Sequence, residues 1–299
     1  MSARYIDYST YLARFFGGTK IQKLSVNAGL SCPNRDGTIG YGGCSYCNNS
    51  SFSPAYTAPA VDITAQLQRG KEFFARKYPQ MKYLAYFQSY TNTHGDAARL
   101  HELYRLALDV QDVEGLIIAT RPDSIPDELV DLLSRIAQEH YVMVELGAES
   151  SHNKTLDLVN RCHHWEHTVD AVKRLNDAHI HVGLHLIMGL PGETVPMMLQ
   201  TIDAVNKLPV DTIKIHQLQL IKDTPLAKAV QSGNQSVTIF DVESYVDLCC
   251  KIVARLRPDI AIERFVSQSP DNLLIAPRWG LKNYQFTELL KKALDKQHP

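Results

Sequence analysis

The feature of this sequence that most restricts its fold is a regular alternation of short apolar runs with amphipathic stretches of helical length. The apolar runs are rich in β-branched and aromatic residues, which is typical of strands buried on both faces of a parallel sheet. We predict strands at Gln22–Asn27, Tyr83–Gln88, Gly115–Thr120, Val142–Leu146, Val182–Met188 and Thr212–Leu218. We predict helices at Ile63–Tyr78, Ala97–Asp109, Pro126–Glu139, His167–Ala178 and Thr194–Asn206. Successive strands lie about thirty to forty residues apart, the length of a βα repeat.

Six βα units with right-handed crossovers can form either an open doubly wound sheet or a partial barrel. Periodicity does not separate these folds, but in both of them the working residues collect at the carboxyl ends of the strands. A helix at Asp241–Arg257 and an apolar-flanked segment at Ile260–Trp279 predict a C-terminal extension that closes one side of the sheet. We therefore expect an N-terminal segment over 1–19, a core over 20–226, and an extension over 227–299 that packs on the core.

The charge balance limits the partners of this chain. Its 31 Lys and Arg residues stand against 32 Asp and Glu residues, a formal net charge of −1. No global field attracts nucleic acid or an anionic membrane, so any RNA contact must use a local patch. The longest clearly apolar stretch, Val182–Leu190, contains a histidine and is far shorter than the ~18 residues that span a bilayer. We expect a cytoplasmic protein with no membrane partner, whose thiols stay reduced.

Three of the six cysteines lie in one glycine-rich loop after the first predicted strand. Cys32, Cys44 and Cys47 have the spacing C-x11-C-x2-C, and the glycines between positions 29 and 43 allow the loop to wrap around an object. Three thiolates on an iron–sulfur cube leave one iron open for an external ligand. This ligand set therefore favours a cluster with one open iron.

A structural zinc site is the alternative to a cluster. Such a site needs four Cys or His ligands, and the remaining cysteines, Cys162, Cys249 and Cys250, lie far away along the chain. Zinc completed by a distant histidine, such as His94 or His185, stays open at this point, as do three thiols without any metal.

The cysteine loop, with Tyr46 directly before its last cysteine, resembles that of the radical S-adenosylmethionine (SAM) superfamily. Other stretches resemble the radical SAM domain of the Elongator catalytic subunit and smaller Elongator-like bacterial proteins: Thr120–Asp123 (TRPD), Val144–Ser150 (VELGAES), Leu158–Arg161 (LVNR) and His185–Thr194 (HLIMGLPGET). The resemblance runs in register from about residue 20 to residue 226 and continues through 274–277. It implies an α/β fold, a partial (βα)6 TIM-like barrel of the radical SAM type with a C-terminal extension. It also implies a [4Fe-4S] cluster and SAM as cofactors.

The same resemblance assigns roles to individual residues. Cys32, Cys44 and Cys47 would hold the cluster. The implied SAM contacts are Tyr46 beside the cluster, Gln88 and Asn92 at the amino group, Glu145 and Ser150 near the ribose and methionine, Arg161 near the methionine carboxylate, and His185 with Met188 near the adenosine. No catalytic residue beyond these cofactor contacts is assigned.

Several of these residues have plainer alternatives. Glu145 could be a buried acid paired with Arg121, and Met188 could belong to the core. The histidines within His163–His167 are interpreted as the polar start of a helix rather than a metal site. Cys162 stands where the family usually has Gly, so the turn next to Arg161 can differ.

The resemblance implies a radical SAM enzyme that generates a 5′-deoxyadenosyl radical, with the wobble uridine of tRNA as the substrate. An electron donor such as flavodoxin or ferredoxin would be its partner. The acetyltransferase domain of the Elongator subunit would have to follow residue 299. The alternatives are a radical SAM enzyme acting on a small metabolite or tetrapyrrole, a scaffold with a purely structural cluster, and a zinc-stabilised, non-radical (βα) protein.

Basic residues that could contact a substrate lie in two kinds of place. Runs at 69–82 and 282–292 are interpreted as solvated helix faces; the first of them contains Lys71, Arg76, Lys77 and Lys82. The loop after Leu218 and the segment Arg264–Trp279 are expected to cover the strand ends. Their basic residues placed to meet a phosphate or carboxylate are Lys222, Arg264 and Arg278.

Overall fold

Strands and helices alternate along the chain in a computed structural model that describes residues 4–51, 53–54, 56–57, 62–75 and 81–297. The strands are β1 (Ile6–Asp7), β2 (Ile21–Val26), β3 (Lys82–Phe87), β4 (Val113–Thr120), β5 (Tyr141–Glu149), β6 (His181–Met188), β7 (Thr212–Gln217), β8 (Leu220–Ile221), β9 (Ala261–Arg264) and β10 (Leu274–Ala276). The helices are α1 (Tyr8–Phe16), α2 (Ile63–Ala75), α3 (Ala97–Leu108), α4 (Asp127–Ala137), α5 (Asn153–Leu158), α6 (Trp165–Asp177), α7 (Val195–Val205), α8 (Pro225–Gln231), α9 (Val242–Arg255) and α10 (Asn283–Gln297).

The main sheet of the described residues contains eight parallel strands in the order β1-β9-β7-β6-β5-β4-β3-β2. The six predicted strands correspond to β2 through β7, and they lie side by side in chain order. A doubly wound sheet would instead reverse its order at a switch point. Lys23 on β2 contacts Glu263 on β9, so the sheet is strongly curled. The predicted partial barrel is therefore confirmed, and the doubly wound alternative is wrong.

Side-chain alternation divides each strand between two environments. On β6, Leu184 and Leu186 pack beneath the helices on the outside of the barrel, whereas His185 and Ile187 face its interior. The same alternation holds along the neighbouring strands, so polar side chains inside the barrel are separated by apolar ones outside it. The helices thus cover one face of the sheet and leave the other free for a site.

Helix α1 fills the barrel interior at the amino ends of the strands. Asp7 caps this helix by accepting a hydrogen bond of 2.8 Å from the backbone nitrogen of Thr10. Its buried face, Tyr11 and Leu12, packs with apolar side chains of β3, β4 and β5, including Met143. The interior is therefore closed at this end and can open only at the carboxyl ends of the strands.

The C-terminal extension contributes to the sheet itself. Strand β9 pairs with β7, and β1, from the N-terminal segment, pairs with β9. Strands β8 and β10 form a separate antiparallel pair, and α9 packs against α10 around Tyr245 and Phe286. The extension thus adds β9 to the main sheet, while the division of the chain at 19/20 and 226/227 remains a prediction.

Several boundaries differ from the predicted ones. Helix α2 is described as far as Ala75, and its predicted end at Tyr78 lies outside the described residues. Helix α6 begins at Trp165 rather than His167, because the His164 backbone nitrogen donates to Nδ1 of His167 at 3.2 Å and so caps the first turn. None of the helices in the described part of the chain combines the length and the apolar composition that crossing a bilayer requires.

Candidate active site

A cavity of about 230 Å³ lies at the carboxyl ends of the strands. One wall is the cysteine loop, and the remaining walls come from the ends of β3 to β7 and β9. The predicted site residues that line it are Cys32, Cys44, Cys47, Tyr46, Gln88, Glu145, Arg161, His185 and Arg264. The fold thus brings together side chains that are more than 200 residues apart in the chain.

Hydrogen bonds within the cysteine loop stabilise it, and its three cysteines differ in burial. Cys44 is buried, and Cys32 and Cys47 are half-buried. Arg35, which was not among the residues predicted for the site, donates a hydrogen bond of 3.0 Å from Nη2 to the Cys47 carbonyl. Gly43 has a φ of +78°, and a Cβ at this position would lie 2.8 Å from Arg35 Nε, so only glycine fits here. Burial, together with the neighbouring Cys44, raises the pKa of the Cys47 thiol to about 11.

Arg161 lies beside the most buried of the three cysteines. Its Nη1 atom donates to Cys44 Sγ at 3.3 Å, and its Nη2 atom donates to the Gly147 carbonyl at 2.5 Å. Glu149 is the nearest countercharge, at 3.7 Å, and was missed at the sequence level. Strand β5 carries a register shift at this point, and Glu149 adopts a φ of +66°, which turns its carboxylate toward Arg161.

Glu145 belongs to a closed ring of four alternating charges inside the barrel. Its carboxylate contacts Lys23 at 2.6 Å and Lys214 at 2.7 Å. Glu263 completes the ring, at 2.5 Å from Lys23 and 2.9 Å from Lys214. Burial opposes ionisation, yet Lys214 and Lys23 hold the pKa of Glu145 well below its usual range. The acid is therefore paired, but not with Arg121, which binds Asp123 instead.

His185 rests on this ring and faces the cavity. Its Nε2 atom lies 2.7 Å from the second carboxylate oxygen of Glu145. Burial, followed by the charge of Lys214, lowers the pKa of His185 to about 4. The imidazole is therefore neutral at pH 7, and the carboxylate keeps the proton on Nε2. Lys23, Lys214 and Glu263 were not selected from the sequence, although Lys214 lies between two apolar residues on β7.

Three predicted cofactor contacts are not among the residues that line the cavity. Asn92 uses its Nδ2 atom to bind the carbonyls of Phe87 and Ala119, each at 2.9 Å, and so joins the ends of β3 and β4. Ser150 is buried and hydrogen-bonded to Glu193. Met188 is 1% exposed and packs in the outer core beneath the helices. Their contacts with SAM remain predictions, and the positions of these three side chains outside the cavity lining do not support them.

Of the three basic residues predicted to contact the substrate, only Arg264 lines the cavity. Arg264 lines the cavity, with Nη2 at 3.4 Å from Nδ1 of His216. The β7–β9 register shifts here, and this shift places Glu263 and Arg264, which are consecutive, both on the interior side. Arg278 donates to the Leu274 carbonyl at 2.5 Å and braces β10. Lys222 is exposed outside the cavity.

The donor set fits an iron–sulfur cluster better than a zinc ion. Both candidate histidines already contact carboxylates: Nε2 of His94 lies 2.9 Å from Asp36, and His185 contacts Glu145. Among the described residues, no three Cys, His, Asp or Glu side chains converge on one metal-ion position. Beside the cysteines, the Tyr46 hydroxyl and Arg161 Nε are buried without a hydrogen-bond partner among the described residues. Such unpaired groups suit a polar ligand next to the cluster.

The fold and this site define a radical SAM protein: residues 32–205 match the model of the Radical SAM superfamily and residues 210–296 match the Radical_SAM C-terminal domain, so the chain belongs to that superfamily. Its members are enzymes that bind a [4Fe-4S] cluster and SAM and need an electron donor, and the zinc alternative is therefore wrong.

Among individual proteins, the chain is 35% identical to the uncharacterized protein YtqA of Bacillus subtilis over 98% of this chain and 90% of that protein. It is 25% identical to the tRNA uridine(34) acetyltransferase of Methanocaldococcus infernus, over 61% of this chain and 33% of that protein. The solved structure of Elp3 from M. infernus has the same fold, with a TM-score of 0.69 and 17% identity over 93% of this chain and 63% of that one.

Proposed function

We propose that this protein holds a [4Fe-4S] cluster on Cys32, Cys44 and Cys47, cleaves SAM reductively, and uses the resulting radical to modify the wobble uridine of tRNA. The observation that carries the proposal is the convergence of the three thiols on one cavity at the carboxyl ends of the strands, where a barrel enzyme keeps its site. When bound, the cluster and SAM together supply a 5′-deoxyadenosyl radical that removes hydrogen from an unactivated carbon.

The protein's own side chains would bind and orient SAM. Arg161, with its unpaired Nε atom, would meet the methionine carboxylate, since a guanidinium forms charge-assisted hydrogen bonds with such a group. Gln88 lines the cavity and can accept from the SAM amino group, although Ser25 also donates to its Oε1 atom at 3.0 Å. His185, neutral and protonated on Nε2, leaves Nδ1 as an acceptor for a hydroxyl or amino group of the nucleoside.

The tRNA substrate is supported by relatives rather than by surface charge. A relative is named tRNA uridine(34) acetyltransferase, and this name supports uridine 34 of tRNA as the substrate that we propose. Lys82 in the basic run 69–82 is paired with Asp112 and Glu114 at 3.0 Å, and Arg76 and Lys77 lie outside the described residues. Arg264, at the cavity, is the basic residue that would meet the substrate. The reaction would take place in the cytoplasm, with flavodoxin or ferredoxin as the reductant.

The proposal is tested by deleting the gene and comparing the modified nucleosides of bulk tRNA by mass spectrometry. We expect a changed wobble-uridine nucleoside that the wild-type gene restores and the Cys47→Ala gene does not. Purified, reduced protein should also release 5′-deoxyadenosine and methionine from SAM. Unchanged tRNA nucleosides combined with SAM cleavage would contradict the tRNA substrate and favour a small metabolite or tetrapyrrole. A cluster-loaded protein that never releases 5′-deoxyadenosine would contradict the enzymatic role of the cluster.

A further inference from the structure

The segment of residues 159–162 is fastened to the cysteine loop by hydrogen bonds from both sides. The Ser45 backbone nitrogen donates to the Val159 carbonyl at 2.9 Å, and Asn34 Nδ2 donates to the Asn160 carbonyl at 2.6 Å. In return, Asn160 Nδ2 donates to the Gly43 carbonyl at 2.8 Å. These bonds join a turn after α5 to the loop that carries the three cysteines, so the loop fixes the position of the turn.

The backbone of this segment is strained on both sides of Arg161. Asn160 has a φ of +53° and Cys162 a φ of +58°, in the left-handed region that non-glycine residues rarely adopt. Such strain persists only where the surroundings fix it. The conformation sets the position of one side chain, because Arg161 lies between the two strained residues and points back into the cavity.

The guanidinium of Arg161 reaches one particular cluster ligand. Its Nη1 atom donates to Cys44 Sγ at 3.3 Å, and the bond to the Gly147 carbonyl fixes the plane of the group. Cys44 is the buried thiol of the three, and Asn34 Nδ2 also approaches its sulfur, at 3.8 Å. Arg121 holds the backbone of Arg161 by donating to its carbonyl at 2.7 Å. The guanidinium is thus held against one sulfur ligand by a hydrogen bond from each Nη atom, with Glu149 as a countercharge 3.7 Å from Nη2.

Hydrogen bonds and positive charge at the ligand sulfurs stabilise the more negative state of an iron–sulfur cluster and so raise its reduction potential. We infer that Arg161, held by the 159–162 segment, sets the reduction potential of the cluster by donating a hydrogen bond to Cys44 Sγ. This role rests on the cluster ligation proposed above. It is compatible with a SAM contact through Nε, because Nη1 and Nε are different atoms of the same group.

The test is an electrochemical titration of the anaerobically reconstituted protein without SAM, followed by electron paramagnetic resonance (EPR). Without SAM, any effect of Arg161 on SAM binding is absent. We expect Arg161→Gln to lower the midpoint potential so that the ratio of reduced to oxidised cluster at a fixed potential falls at least tenfold, which is 59 mV for one electron. Arg105→Gln, which removes the same charge from an exposed i,i+4 pair on α3, should leave the midpoint unchanged.

A midpoint equal to that of the wild type in Arg161→Gln with full iron content would overturn the inference, while the cluster ligation would still stand. If Arg161→Gln does not retain iron, the second measurement decides. In reduced protein labelled with [15N]arginine, pulsed EPR should detect a 15N coupling to the cluster that disappears in Arg161→Lys. The inference fails if that coupling persists. Failure of the three cysteines to bind iron at all would instead contradict the proposed function.

Discussion

Lys23 and Glu263 lie near opposite ends of the sheet order, on β2 and β9, yet Lys23 Nζ is 2.5 Å from Glu263 Oε2. The contact crosses the barrel interior and joins β2, at one edge of the sheet, to β9 of the C-terminal extension. With Glu145 and Lys214 it forms a ring of alternating charges. The aromatic face of Tyr86 lies about equally far from both lysines, 5.0 Å from Lys23 and 4.9 Å from Lys214. The ring separates the apolar packing of α1 from the polar cavity.

Neutralising one charged side chain of this ring should destabilise the protein more than neutralising two side chains of opposite charge. Lys214→Met leaves two buried carboxylates with one lysine, and breaking a buried pair in this way costs about 3–5 kcal/mol in free energy of unfolding. Lys214→Met combined with Glu263→Gln should recover part of that loss, because Lys23 and Glu145 then balance each other. Urea denaturation measures both free energies.

The exposed pair of Lys291 and Glu288 provides the matched control for the ring. Lys291→Met should change the free energy of unfolding by less than about 1 kcal/mol, since exposed pairs are screened by water. A double variant no more stable than Lys214→Met would show that charge balance does not govern this part of the barrel.

The three cysteines of the loop should be required for iron binding, and the three cysteines elsewhere in the chain should not. The reconstituted wild-type protein should bind about four irons, because a cube with three protein ligands fits the loop. Replacing Cys32, Cys44 or Cys47 by Ala should abolish the visible absorbance and the iron. Replacement of Cys162, Cys249 or Cys250 by Ser or Ala should leave both, measured by iron analysis and absorption spectra. Loss of iron on changing Cys162 would contradict the ligand assignment.

Gln88 and Met188 should differ in their effect on SAM binding, although the resemblance assigns SAM contacts to both. Gln88 lines the cavity, so Gln88→Ala should weaken SAM binding by roughly tenfold through the loss of one hydrogen bond. Met188 packs outside the barrel, so Met188→Leu should leave SAM binding unchanged and cost less than about 1.5 kcal/mol of stability. Equilibrium dialysis of cluster-loaded protein measures the affinity for SAM. An equal loss of SAM affinity in both variants would contradict the placement of Gln88 at the cavity and of Met188 outside the barrel.

Stability should fall as the pH is lowered from about 6.5 toward 4, in part because of His185. Burial and Lys214 lower the pKa of this histidine to about 4 in the folded protein. Between these two values the unfolded chain binds a proton that the folded chain does not, so the free energy of unfolding increases with pH across that range. His185→Gln should reduce this slope by up to about 1.4 kcal/mol per pH unit.

Urea denaturation at several pH values between 4 and 7 measures the slope. The groups around His185 that also carry charge are Glu145, Lys214 and Glu263, and they remain in the variant. His101→Gln, at an exposed position on α3, is the control and should keep the wild-type slope. An unchanged slope in His185→Gln would mean that folding does not lower the pKa of this histidine.

Arg264 should affect the substrate but not SAM. Arg264→Gln should spare the slow release of 5′-deoxyadenosine without substrate and should reduce modification of tRNA at least tenfold, because one charged contact is lost. The difference in tRNA affinity between Arg264→Gln and wild type should shrink as salt is raised. The variant makes one phosphate contact fewer and releases fewer counterions, so its affinity depends less on salt. Arg278→Gln is the comparison: it should destabilise β10 and leave tRNA affinity unchanged. Equal tRNA affinity in Arg264→Gln and wild type would exclude Arg264 as a phosphate contact.

The sequence by itself determined the repeating units and the cysteine loop. Apolar runs at the right spacing predicted β2 through β7 because a buried parallel strand leaves a local signature that needs no partner to be recognised. The C-x11-C-x2-C spacing and the stretches around Glu145 and His185 identified the superfamily for the same reason, since each motif is contiguous in the chain. These features depend on residues that are neighbours in sequence.

Only the tertiary structure decided which side chains share the interior. Strand order separated a partial barrel from a doubly wound sheet, and order arises from long-range pairing that periodicity does not contain. The ring of Lys23, Glu145, Lys214 and Glu263 joins strands up to 240 residues apart in sequence. Arg264 reached the cavity through a register shift that breaks simple alternation, and Met188 was excluded from it by alternation itself. Curling of the sheet brings distant strand ends together, so the physical cause of the site is closure of the barrel rather than any local pattern.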